Sequence, residues 1–123
     1  MVVFAEVGFV YDEQGVRRPA ASLSPHDAAA LLAKNRDMGA GPVEPATVGG
    51  VRGYSVELTP RRPDNMLGRT VVYYVASDRS YRVSFVRVDG VLLAITAVSI
   101  HRPPDKAFAE IEPVIGSVRF AAA

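Results

Sequence analysis

Cysteine is absent from all 123 residues. That removes disulfides, thiol nucleophiles and thiolate zinc ligands together. It assigns no compartment, because cytosolic and secreted domains alike can lack cysteine. Lysine is nearly absent: Lys34 and Lys106 are the only two, so arginine supplies almost all the positive charge. The formal net charge is only +1, too weak a field for bulk electrostatic capture of nucleic acid, and none is expected as a partner. Histidine is limited to His26 and His101. No apolar run reaches the ~20 residues that a membrane-spanning helix needs. The opening Met1-Val2-Val3-Phe4-Ala5-Glu6 has neither a basic leader nor a cleavage pattern. With Met1 as the native start, the expected location is cytoplasmic. Internal repeats and low-complexity tracts are missing too.

What is present suits one packed domain over residues 1–123. The chain is 49% hydrophobic and 22% charged, enough to build a core and too apolar for disorder. The strongest pattern lies in residues 69–100, read as three consecutive antiparallel strands over 69–77, 80–88 and 91–100. In the first, Val71, Tyr73 and Val75 alternate with Thr70, Val72, Tyr74 and Ala76, the period of a half-buried strand. In the second, Tyr81, Val83 and Phe85 oppose Arg82 and Ser84. Ser77-Asp78-Arg79-Ser80 is the first turn, and Asp89-Gly90 is a two-residue loop suited to a type I′ hairpin. The third run is apolar on both sides, as expected of a central, covered strand. Counting by two from Phe85 puts Arg87 on the apolar face. Either a β-bulge near Val86 resets the phase, or Arg87 lies at the solvent end of the sheet.

Upstream, residues 2–11 alternate as one strand, Asp12-Glu13-Gln14-Gly15 is a turn, and Arg17-Arg18-Pro19 continues as a polar loop. Ser24-Pro25-His26-Asp27 is a helix start with cap, first-turn proline and capping acid. The spacing of Ala28, Leu31, Leu32 and Met38 carries this helix to about Met38, where Gly39-Ala40-Gly41-Pro42 stops it. Residues 43–48 form a weak strand interrupted by Pro45, Gly49-Gly50 turns the chain, and 54–59 form a better strand. Residues 60–65, with Pro60 and Pro63, read as a surface loop. After Pro103-Pro104-Asp105, the three-four-three spacing of Phe108, Ile111, Ile115 and Val118 predicts a second amphipathic helix, kinked or cut short at Pro113. Ser117-Val118-Arg119-Phe120 closes the chain, with Val118-Arg119-Phe120 as a short strand. The expected class is therefore α+β, an antiparallel meander sheet flanked by two helices.

Four places give this order a family likeness: Val48-Gly49-Gly50-Val51-Arg52-Gly53-Tyr54, Tyr73-Tyr74, the run Asp89-Gly90-Val91-Leu92-Leu93-Ala94-Ile95-Thr96-Ala97, and 108–120 ending in Ser117-Val118-Arg119-Phe120. Over roughly the last three-fifths of the chain they resemble the PsbP/Mog1-type fold, including small bacterial domains of the LpqN and DcrB kind. The resemblance implies an α/β/α sandwich and a binding or accessory role. It carries over no catalytic residue, metal or cofactor. That fold usually opens with an extra strand or hairpin that this chain lacks before Val2, so the bare edge raises a homodimer as one reading.

Candidate chemistry is sparse. His26-Asp27 pairs a base with an acid, but adjacent helical residues do not face each other. His101 with Arg102 follows the most apolar strand, a position that suits a site residue. Two histidines without a sequence-adjacent partner make a poor metal site. Arg61-Arg62, with Arg69 beyond and Arg102 elsewhere, form the expected anion site if one exists; Arg17-Arg18 is a second pair. Tyr73, Tyr74 and Tyr81 interleaved with Arg82 suggest a stacking surface, though aromatic strand residues are commonly core. Gly-x-Ser-x-Gly is absent. Gly49-Gly50-Val51-Arg52-Gly53 is not a phosphate loop, since no helix opens after it. Glu110 and Glu112 sit two apart on a helix and face different ways. The primary expectation is a non-enzymatic domain binding a protein or small ligand through a sheet face or edge. The alternatives are a small-molecule site or enzyme using His101 and Arg102, and a structural homodimer.

Overall fold

The computed structural model describes residues 2–35, 37–68, 72–75 and 79–99, together with Phe108, Ala109, Glu112, Pro113 and Ile115. Its strands are β1 (Val2–Glu6), β2 (Phe9–Tyr11), β3 (Arg17–Pro19), β4 (Met38–Ala40), β5 (Glu44–Val48), β6 (Val51–Pro60), β7 (Asp64–Gly68), β8 (Val72–Val75), β9 (Ser80–Val88) and β10 (Val91–Ser99). The helix α1 spans Pro25–Ala33, preceded by a 3-10 turn at Ala20–Ser22. The class is α+β with antiparallel sheets. One sheet has six strands in the order β1-β10-β9-β6-β4, with β5 also on β6; the other runs β3-β2-β7-β8.

The β9–β10 hairpin forms as the sequence predicts. Asp89 and Gly90 adopt φ of 50° and 78°, the paired positive values of a type I′ turn. Gly49 and Gly50, at 59° and 79°, make a second two-residue hairpin between β5 and β6. The expected meander needs correction. β8 pairs with β7 in the second sheet, while β9 takes β6 as its other neighbour. Periodicity identified both runs as strands, but it carries no information on which edge each one finds.

Four further expectations change, and one open alternative is decided. Residues 2–11 are two strands: Val7 N–H still bonds Leu92 O at 2.8 Å, whereas Gly8 N–H bonds Gly68 O at 2.8 Å, so the chain changes sheets between them. Arg17-Arg18-Pro19 is not loop but β3, paired with β2. The 60–65 loop is shorter than expected, because Asp64 and Asn65 already belong to β7. No bulge interrupts β9 against β10, where the register is continuous from Val91↔Val88 to Ser99↔Ser80. Arg87 sits instead at the hairpin end, donating to Gly90 O and Ala20 O at 2.9 Å each and also to Leu23 O. Its guanidinium thereby ties the hairpin end to the 3-10 turn, sharing Ala20 O with the Leu23 N–H. The first helix stops at Ala33 rather than Met38. The capping box of Ser24 and Asp27 is present as expected. At the other end Asn35 Oδ1 accepts from Asp37 N–H at 2.9 Å, a local bond that competes with helix continuation, and Met38 enters β4.

The described residues delimit one α-helix, not two. Of the expected second one, Phe108, Ala109, Glu112, Pro113 and Ile115 are described and lie in helical turns. Two cores result. α1 and the second sheet pack on one face of the six-stranded sheet, through Leu32, Val10 and Leu67 against Val56, Val83 and Phe85. On the opposite face, Phe108 and Ile115 cover Val48, Val86, Ile95 and Ala97.

Candidate functional site in the cavity beside β5

The site begins with an interruption. β4 and β5 run successively along the same side of β6, β4 opposite residues 58–60 and β5 opposite 51–55. Between them Gly41-Pro42-Val43 leaves the ladder. Gly41 N–H still bonds Glu57 O at 3.0 Å, but Pro42 has no N–H to give. Val43 turns its side chain toward the first core. Pro45 is tolerated within β5 because β5 pairs only with β6 among the described strands, as a proline in an edge position should. The gap opens a cavity of about 360 Å³ on the Phe108–Ile115 face of the sheet.

Strand alternation places the polar walls. Ser84 and Arg82 of β9 share a face with Ser55 and Glu57 of β6, because Ser55↔Ser84 and Glu57↔Arg82 are direct partners. Glu44, opposite Ser55, extends the same row to the edge. Arg82 is the centre. Its Nε and Nη2 donate to Glu57 Oε1 at 3.2 and 2.5 Å, and its Nη1 donates to Glu112. Its guanidinium carbon lies 5.0 Å from the Phe108 ring centroid, within cation–π range. Burial works against the Arg82 charge. The bonds and charges of Glu57 first, then Glu112, outweigh that burial and hold its pKa above the ordinary value. Ser84 is 4% exposed, lies on the cavity wall, and its hydroxyl makes no hydrogen bond with the described residues. Pro42, Pro45, Ala46, Val48 and Ile115 supply apolar wall.

Arginine does not deprotonate in proteins. Both bonded carboxylates are tied to it, and no imidazole lines the cavity among the described residues. Among the described residues, Glu44, Glu57 and Glu112 against Arg82 leave a formal charge of −2 on the lining. At 4 Å and an effective dielectric near 20, each unit-charge pair is worth about 4 kcal/mol.

Of the residues expected to form an anion site, only Arg61 and Arg62 are described, and neither is among the described residues that line this cavity. Arg62 Nε donates to Asp37 Oδ1 at 2.6 Å, and Arg61 N–H donates to Asp37 O at 2.7 Å. Both therefore brace the β6–β7 connection against the end of α1. Arg69, His101 and Arg102 lie outside the described residues. His26, its side chain 55% exposed, stacks edge-on against Tyr54 at 4.9 Å. Tyr81 is buried in the first core, while Arg82 faces the cavity on the other side of β9. The Tyr81–Arg82 part of the stacking surface thus has its members on opposite faces. Of the second arginine pair, Arg17 lies over Phe9 and Tyr11, and Arg18 bonds Asp12.

The Arg82–Glu57–Glu112 cluster escaped sequence reading because its members lie 25 and 30 positions apart and meet only through strand register. The available signal was a charged residue with Ser84 on one side of a strand otherwise rich in apolar residues. Among the described residues, no group of three or more His, Asp or Glu is placed to hold a metal ion. No helix among them is long and apolar enough to cross a membrane. No protein family, curated protein or solved structure matches the chain.

Proposed function

We propose that this chain is a non-enzymatic binding domain that seats a small polar ligand in the cavity beside β5. One observation carries the reading: a space of about 360 Å³ bordered by the half-buried Arg82 ion-pair cluster and by Ser84, a buried residue on the cavity wall whose hydroxyl makes no hydrogen bond with the described residues. A concave site with apolar walls and a few convergent polar groups is the usual form of a ligand pocket. The PsbP/Mog1-type α/β/α arrangement belongs to the same proposal. Its support is α1 on one face of the six-stranded sheet and the buried Phe108 and Ile115 on the other. The second sheet is an addition to that plan. The test is amide NMR of the labelled protein titrated with a fragment library. Binding in the cavity predicts shifts clustered at Thr47, Ser55 and Ser84, abolished by the cavity-filling Ala46→Trp. Shifts confined to other surfaces, or unchanged by Ala46→Trp, overturn it.

A further inference from the structure

Resting on the cavity reading, we infer that the ligand is a small organic cation, a protonated amine or a guanidinium carried on a short alkyl chain. The lining already shows what its carboxylates recognise, because Arg82 is itself a guanidinium held between Glu57 and Glu112. Both contacts to Glu57 use Oε1 alone, as does the contact to Glu112. A carboxylate has two oxygens and about four acceptor positions, so each retains capacity for a second donor. Glu44 adds an exposed carboxylate at the rim. The Ser84 hydroxyl, with no partner among the described residues, offers a neutral acceptor deeper in the wall.

An anion has a poorer prospect. Its one attractive partner in the described lining is Arg82, already shared by two acids, and it meets three carboxylates nearby. A divalent metal is disfavoured by geometry, since the described acids do not converge as a ligand set. The alkyl part of the cation lies against Pro45, Val48 and Ile115. Longer amphipathic cations bury their stems on such surfaces while the head stays in a polar setting.

The experiment uses four compounds of one size on the full chain: n-butylguanidinium, n-butylammonium, sodium butyrate and 1-butanol, read at the Thr47, Ser55 and Ser84 amides. The expected result is saturable shifts with both cations and at least tenfold weaker binding of butyrate and butanol. Glu57→Gln and, separately, Glu112→Gln weaken cation binding tenfold or more. Glu13→Gln, in the exposed β2–β3 turn, leaves it unchanged. If butyrate or butanol binds as tightly as the cations, the cation inference falls and the cavity reading stands. If none of the four, nor any library fragment, moves these amides, both fall.

Discussion

Asp12 shows how one side chain closes a turn. Its Oδ1 accepts from the Gln14 and Val16 N–H groups at 2.9 Å each, and its Oδ2 accepts from Arg18 Nε at 2.9 Å. The Asp12 side chain is 6% exposed, yet its pKa is lowered. The Val16 N–H is the largest cause. Burial opposes it, and the Gln14 N–H and Arg18 add to the lowering. A carboxylate with a depressed folded pKa contributes stability that is complete above its unfolded value, about 3.9. That contribution is lost as pH falls through the lower folded value. Asp12→Ala should therefore be less stable than the parent at pH 7, and the gap between their urea midpoints should narrow as pH drops below about 4. A gap independent of pH would mean that packing, not charge, carries the effect.

At the scale of the element, β6 shows why a glycine sits inside a strand. Gly53 pairs with Val86, and a Cβ there would lie 1.9 Å from Phe85 O and 2.8 Å from Val86 Cγ1. Relief requires moving β9 backbone at the centre of the six-stranded sheet. Gly53→Ala should cost about 3 kcal/mol or more, at or above the upper end of ordinary overpacking, measured by urea denaturation. A loss under about 1 kcal/mol would mean the strands separate easily there. Gly49 and Gly50 are needed for a different reason, the positive φ of the hairpin. The sequence run Gly49-Gly50-Val51-Arg52-Gly53 therefore serves a turn and a close approach.

At the scale of the whole molecule, two cores lie on opposite faces of one sheet, and among the described residues Phe108 and Ile115 cover the cavity side. Phe108 is fully buried and, with Ile115, covers Val86 and Ile95. It also lies beneath the Arg82 guanidinium. Phe108→Ala should destabilise by about 3–5 kcal/mol, the range for emptying a buried aromatic site, and should broaden the amides of Ser84 and Val86 before those of α1. Simultaneous loss of both faces in hydrogen exchange would show a single cooperative unit instead.

Local rules alone determined much of this protein. The capping box at Ser24, the type I′ turn at Asp89-Gly90, the Asp12 turn and the strand character of β6, β9 and β10 follow from φ preferences, hydrogen-bonding side chains and period-2 alternation. The burial of Phe108 and Ile115 follows from their helical spacing. Helix length was misjudged because Met38 keeps the apolar period while Asn35 has already diverted the backbone. Tertiary structure decided which strands are neighbours, that the chain changes sheets between Val7 and Gly8, and that Glu57, Arg82, Ser84 and Glu112 share a cavity. The reason is physical: alternation fixes which side of a strand faces a core, but long-range register fixes what stands opposite, and that is chosen by the packing of the whole chain.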